Sequence, residues 1–130
     1  MIVGSGIDIV RTDRMDRLLK RFGRRFAERI LSPVELREWE CSGQGAELLA
    51  KRFAVKEAAA KALRTGFREG IRYRDISLAH DERGAPLLHF SGEAERQARA
   101  RTVHRRHVSV SDERGLAIAQ VLLEGDDRGS

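Results

Sequence analysis

Cysteine, aromatic residues and long apolar runs are all scarce in this chain of 130 residues. The one cysteine, Cys41, excludes an intrachain disulfide framework and a zinc site built from several cysteines, and it fits a reducing cytoplasm. No apolar stretch approaches the ~20 residues needed to cross a bilayer, and the acidic start of the chain is untypical of a signal peptide. We therefore expect a cytoplasmic protein without a membrane partner.

Charged residues, by contrast, are abundant. The chain has 25 Lys and Arg against 20 Asp and Glu, a formal net charge of +5, and 41% of its residues are hydrophobic. Such a balance favours an acidic partner, whether nucleic acid, an anionic membrane, a phosphorylated ligand or an acidic protein. The length suits one domain with one core. We predict a single domain over residues 1–124 and a polar C-terminal tail over residues 125–130.

Hydrophobic periodicity and turn residues predict an α+β fold. Ser32, Pro33 and Glu35 form the pattern of a helix start, with a capping serine and a glutamate three residues later. The order is strand, helices, hairpin, helix, hairpin, which predicts an antiparallel sheet packed with a long central helix and shorter helices. The predicted helices cover residues 11–22, 26–31, 33–41, 46–64 and 91–102, and the predicted strands cover residues 2–10, 75–79, 86–90, 107–111 and 116–124.

Two acidic residues suggest a site for chemistry. Asp8 lies between Ile7 and Ile9 in an apolar strand, where an unpaired carboxylate would be very costly. Glu57 lies within the long helix, and Lys61 follows one turn later on the same face. Two carboxylates near several cations suit Mg²⁺ with phosphate groups, because this ion takes one or two protein carboxylates and completes its shell with water and phosphate oxygens. Taken alone, Asp8 is as typical of a structural hydrogen bond as of a functional site, and Glu57 with Lys61 is more typical of an ordinary surface ion pair, so these features do not identify a reaction.

Six segments, in order along nearly the whole chain, share the pattern of one known family. The chain resembles holo-acyl-carrier-protein synthase, the small trimeric class of 4′-phosphopantetheinyl transferase, and the long helix is its most specific segment. The matching segments are Gly6-Ile7-Asp8-Ile9-Val10, Arg29-Ile30-Leu31-Ser32 with Glu35, residues 50–63, Asp75-Ile76, the turn from Asp81 through Gly84 to Pro86, and residues 107–114.

The resemblance implies an activity. The family moves the phosphopantetheine arm of coenzyme A onto a serine of apo-acyl carrier protein, an acidic partner, and releases adenosine 3′,5′-bisphosphate. It implies that Asp8 and Glu57 bind Mg²⁺ and act in catalysis together with Lys61, which would contact the reacting phosphate or assist proton transfer. The implied contacts to coenzyme A are Arg52, Lys56, Lys61, Arg64, Thr65 and Gly66.

The resemblance also implies an assembly and a docking surface. Members of the family are homotrimers whose active sites lie between neighbouring subunits, and they serve fatty acid biosynthesis in the cytoplasm. The first helix docks the carrier protein. The residues that map to this surface are Arg14, Leu18, Arg21 and Arg25.

Two positions depart from the family pattern. Arg64 stands where many members have glycine; if its backbone is left-handed, arginine costs about 1 kcal/mol there, although it could add a cation to the phosphate site. Asp112 stands where many members have histidine. That change removes a histidine as a contact to coenzyme A or as a proton carrier, without implying loss of activity.

Two other functions remain open from the residues themselves. The rows of arginine would fit a small nucleic-acid-binding module, but the few aromatic residues form no stacking platform and no RRM, KH or zinc-finger signature is present. A non-catalytic relative that only binds the carrier protein is the third possibility. The resemblance favours the transferase, so we do not expect nucleic acid to be the partner.

Overall fold

A three-stranded antiparallel sheet and one long helix form the centre of the molecule in the computed structural model, which describes residues 1–68 and 70–126. No helix in these ranges is long and apolar enough to cross a membrane. The elements are β1 (Ile2–Arg11), α1 (Thr12–Phe22), α2 (Arg24–Ile30), α3 (Pro33–Cys41), α4 (Ala46–Ala62), a 3₁₀ turn (Tyr73–Asp75), β2 (Ile76–His80), β3 (Pro86–Phe90), α5 (Gly92–Ala100), β4 (Val103–Glu113) and β5 (Leu116–Gly125).

The sheet topology is fully antiparallel. The main sheet has the order β1-β5-β4, and β2 pairs with β3 in a separate hairpin. In the main sheet Asp8 lies opposite Ala119, and Ala119 lies opposite Val110. Alternate residues of β5, such as Ala119 and Val121, are buried, whereas Ile118 remains 39% exposed. The predicted α+β class, with an antiparallel sheet packed on a long helix, is confirmed.

A capping box marks the start of α3, and a left-handed residue marks the turn between α5 and β4. The capping box of α3 is present: the Ser32 hydroxyl accepts from the Glu35 backbone N–H, and the Glu35 carboxylate accepts from the Ser32 N–H. The predicted helix over residues 91–102 ends earlier, at Ala100, and β4 begins at Val103 rather than at residue 107. Thr102, with φ of 58°, turns the chain between them.

The end of β5 falls at the predicted boundary between the domain and the tail. The strand runs to Gly125, and Gly125 pairs with Val103 and donates its N–H to the Met1 carbonyl. This first residue of the predicted tail therefore belongs to the sheet. Residues 127–130 of that tail lie outside the described residues.

Direct contact between the backbones of β1 and α4 fixes the arrangement of the core. A Cβ atom added to Gly6 would lie 2.0 Å from the Ala58 carbonyl oxygen, and one added to Gly4 would lie 2.0 Å from that of Ala62. Ala58 and Ala62 are themselves almost fully buried. The strand can lie on the helix only because glycine faces alanine, so these small residues set how close β1 comes to α4.

We predict that Gly6→Ala lowers the free energy of unfolding by about 3 kcal/mol, because its methyl group would overlap backbone atoms that cannot move aside. Urea denaturation measures this. Gly45→Ser is the control, since Gly45 precedes α4 and has nothing within 4 Å of an added Cβ. A Gly6→Ala protein as stable as the parent would contradict the contact.

Candidate active site

Asp8 and Lys61 meet where β1 crosses α4. The Lys61 ammonium donates to Asp8 Oδ1 at 2.9 Å and to the Ile7 carbonyl oxygen at 2.9 Å. The Asp8 side chain is 18% exposed and that of Lys61 is 52% exposed. The aspartate in the apolar strand thus has the charged partner that its position requires, and both groups remain within reach of a ligand.

Glu57 lies one turn before Lys61 and is held by a tyrosine. The hydroxyl of Tyr73 donates to Glu57 Oε1 at 2.8 Å. Burial, and then the hydrogen bond to Glu57, raise the pKa of Tyr73 well above its ordinary value, and the charge of Asp8 acts in the same direction. The hydroxyl therefore keeps its proton at neutral pH and remains a donor. The structure brings Asp8, Glu57 and Lys61 to one site, and their chemical roles stay predictions.

The donor set at this site fits a magnesium ion. In the described part of the chain, no group of three or more His, Cys, Asp or Glu side chains is placed to hold a metal. A cation bound by Asp8 and Glu57 would have two carboxylates and would complete its shell with water and phosphate oxygens. Mg²⁺ favours that combination, whereas zinc sites use three or four side chains.

The structure corrects the predicted role of Lys56. Its side chain is fully buried, and its ammonium lies 2.7 Å from Glu35 Oε1. The same ammonium donates to the carbonyl oxygens of Tyr73 and Ile76. Burial lowers the pKa of Lys56, and the Glu35 carboxylate opposes that shift. An ammonium enclosed in this way cannot also contact the phosphates of coenzyme A.

Arg52 belongs to the same cluster, and its predicted contact to coenzyme A stays a prediction. Its side chain is 6% exposed, its guanidinium pairs with Glu38, and its Nε lies 4.0 Å from Glu35 Oε2. Arg52 and Lys56 are one turn apart on α4, so they share the face that meets α3. The sequence showed Glu35 as a helix cap and gave no sign that it also neutralises this face.

The segment after α4 has a left-handed backbone at Arg64, which is the condition under which arginine is unfavourable at this position. Arg64 has φ of 67° and Gly66 has φ of 58°, and the Gly66 N–H donates to the Ala60 carbonyl. Arginine in this left-handed conformation costs about 1 kcal/mol relative to glycine. Arg64 is exposed three residues after Lys61, whereas Thr65 is buried and donates to the Gly66 carbonyl. The contacts of these residues to coenzyme A stay predictions.

An arginine-lined cleft of about 1310 Å³ lies beside the site. It contains all four predicted docking residues, although Arg25 belongs to α2 rather than to the first helix. Arg14 lies over the ring of Phe53, 5.4 Å from its centroid. Tyr73 also lines the cleft, which connects the docking surface to Glu57. The sequence-based interpretation missed this tyrosine and three further arginines in the lining, Arg29, Arg72 and Arg74.

Comparison with known proteins defines the class. The sequence model of the 4′-phosphopantetheinyl transferase superfamily matches residues 4–121, so the chain belongs to this superfamily. The predicted family is confirmed by relatives named holo-[acyl-carrier-protein] synthase. The relative from Halorhodospira halophila is 50% identical over 123 residues, covering 95% of this chain and 98% of its own. The relative from Vibrio cholerae strain O395 is 47% identical over 124 residues, with the same coverage.

Solved structures agree with the sequence relatives. The holo-[acyl-carrier-protein] synthase of Neisseria meningitidis has a TM-score of 0.89 and 42% identity, covering 95% of this chain and 99% of its own. The synthase of Helicobacter pylori in complex with coenzyme A has a TM-score of 0.80 and 34% identity, covering 92% of this chain and 99% of its own.

We predict that Lys56→Met lowers the free energy of unfolding by about 3–5 kcal/mol, because the buried Glu35 would lose its hydrogen-bonded counter-charge and keep only Arg52, 4.0 Å away. Urea denaturation measures the loss. Lys51→Met, the same change on the same helix, should cost less than about 0.5 kcal/mol. If Lys56→Met were as stable as the parent and had a raised KM for coenzyme A, the result would instead indicate that Lys56 contacts the phosphates of coenzyme A.

Proposed function

We propose that the protein transfers the 4′-phosphopantetheine group from coenzyme A to a serine of apo-acyl carrier protein, giving holo-carrier and adenosine 3′,5′-bisphosphate. The observation that carries this proposal is the pairing of Asp8 with Lys61 where β1 crosses α4, with Glu57 one turn before Lys61 on that helix. The relatives named holo-[acyl-carrier-protein] synthase, one of them solved with coenzyme A, support it.

The site suits attack on a pyrophosphate phosphorus, where catalysis rests on positioning and on charge neutralisation. Asp8 and Glu57 would hold Mg²⁺, which supplies Lewis-acid neutralisation of the pyrophosphate oxygens. Lys61 adds a positive charge at the same point, and its 52% exposure leaves it free to turn to a phosphate. Glu57 is the proposed acceptor of the proton from the carrier serine.

The arginine-lined cleft supports an acidic carrier protein as the second substrate. Arg14, Arg21 and Arg25 line the cleft together with Leu18, which offers charge around an apolar centre. Tyr73 lines the cleft and its hydroxyl donates to Glu57, so one end of the cleft lies close to this carboxylate. A carrier bound there would present its serine next to the site, and complementary charge would speed the encounter.

An exposed apolar sheet face supports the predicted homotrimer. Ile7 and Ile9 on β1 are 59% and 58% exposed, and Leu116 and Ile118 on β5 are 37% and 39% exposed. Exposed apolar patches of this kind are typical of protein interfaces. Asp8 points to the opposite face of β1, toward α4, and β1 is an edge strand, so a neighbouring subunit that covers the isoleucines would border the site by reaching around this edge. We propose a cytoplasmic trimer with its active sites at subunit interfaces, serving fatty acid biosynthesis.

The direct test is the mass of the carrier. Intact-mass spectrometry after incubation with coenzyme A, Mg²⁺ and a competent apo-carrier should show the gain of one phosphopantetheine, and chelation of the metal should abolish the gain. Carrier binding without any mass gain would instead indicate a non-catalytic carrier-binding protein.

We expect Asp8→Asn and Glu57→Gln each to reduce the transfer rate by about 100-fold or more, because each removes an anionic ligand of the Mg²⁺ that would neutralise the pyrophosphate. The initial rate of holo-carrier formation measures this loss. Glu47→Gln, the same change at an exposed position of α4, should keep the parent rate. A near-normal rate in either site variant would refute the metal assignment.

We expect Arg21→Glu to raise the KM for the carrier about tenfold at low salt, and less as salt increases, because the charge attraction across the cleft is reversed. The KM for coenzyme A should stay unchanged. Arg17→Glu is the matched control, since Arg17 pairs with Asp13 on α1 and is not among the residues that line the cleft. An unchanged carrier KM in Arg21→Glu would place the docking surface elsewhere.

A further inference from the structure

Tyr73 is fixed at three points. Its hydroxyl donates to Glu57 Oε1 at 2.8 Å, and its carbonyl oxygen accepts from the Lys56 ammonium at 3.1 Å. Its ring stacks on Phe67, with centroids 3.9 Å apart, and lies 5.5 Å from the Phe53 centroid. A tyrosine held by its backbone and its ring can present its hydroxyl at one place only.

Consecutive residues of α4 hold this tyrosine at its two ends. The side chains of Lys56 and Glu57 leave the helix about 100° apart, so one enters the interior and the other is half-buried beside Tyr73. Lys56 is fixed in turn by Glu35, whose carboxylate also accepts two backbone N–H groups. The buried ion pair therefore sets the position of the Tyr73–Asp75 turn relative to α4.

The hydrogen bond leaves one Glu57 oxygen available. Among the described residues, Oε1 accepts from Tyr73 and Oε2 has no hydrogen-bond partner. Asp8 is held separately, by Lys61. Each of the two carboxylates thus has its own neighbour that fixes its orientation, as groups behind metal-binding carboxylates commonly do.

We propose that Tyr73 is a positioning residue for Glu57: its hydroxyl holds Oε1 so that Oε2 is presented to the cation of the transfer site. This inference rests on the proposed function. Tyr73 donates nothing to the reacting atoms and acts only through Glu57. Because phenylalanine would keep the stacked ring and lose only the hydroxyl, the positioning role can be separated from packing.

The test is Tyr73→Phe, with binding of Mn²⁺ as a probe for Mg²⁺. Electron paramagnetic resonance of free Mn²⁺, with coenzyme A present and carrier absent, gives the dissociation constant without turnover. We expect it to rise about tenfold, with a similar rise in the Mg²⁺ concentration for half-maximal transfer. The KM for the carrier and the melting temperature should stay at the parent values.

A double variant shows whether the hydroxyl acts through the carboxylate. In the Glu57→Gln protein, adding Tyr73→Phe should not weaken Mn²⁺ binding further, because the carboxylate that the hydroxyl orients is already gone. An equal loss in both backgrounds would overturn the proposal, and so would a Tyr73→Phe dissociation constant within about twofold of the parent.

The same experiments separate this inference from the proposed function. A parent that modifies the carrier, with Tyr73→Phe unchanged, refutes the positioning role alone. If the parent binds Mn²⁺ with the expected dependence on Tyr73 but modifies no carrier, only the proposed transferase activity is refuted. A parent that binds no Mn²⁺ overturns the metal assignment and the role of Tyr73 together.

Discussion

The contact between the backbones of β1 and α4 is the constraint on which the site depends. Gly6 lies against the Ala58 carbonyl with no space for a Cβ atom, so the strand runs directly over the helix. Two residues later on the strand, Asp8 reaches Lys61, and Glu57 lies one turn back on the same helix. A larger residue at position 6 would move the strand away from the helix and separate the two carboxylates, so the packing of small residues and the chemistry of the site share one cause.

The central helix carries two charge systems with opposite surroundings. Lys56 and Arg52 point into the interior, where Glu35 pairs with Lys56 at 2.7 Å and lies 4.0 Å from Arg52, whereas Glu57 is half-buried and Lys61 is exposed. A buried ion pair adds little net stability but is costly to break, so it acts as a rigid support. Here the support is Lys56, which ties the Tyr73–Asp75 turn to α4. The interior charges thus determine the geometry, and the surface charges remain available for ligands.

The fold could be predicted from the sequence because its signals are local. Apolar periodicity and turn residues gave the order of the elements, and the capping pattern at Ser32 placed the start of α3 within a residue. The interior position of Lys56 could not be predicted, because a lysine within a helical pattern looks the same on either face. Its partner Glu35 is 21 residues away, and Tyr73 is 16 residues from Glu57. Only the tertiary structure shows such pairings. The residue pattern itself had indicated Asp8, Glu57 and Lys61, and the family resemblance had supplied their roles.

The most direct measurement is a crystal structure of the protein grown with Mn²⁺ and coenzyme A, with an anomalous difference map at the manganese edge. We expect one peak coordinated by Asp8 and Glu57 together with pyrophosphate oxygens, with Lys56 still paired to Glu35. A manganese peak that neither carboxylate touches, or a pyrophosphate bound to Lys56, would contradict it.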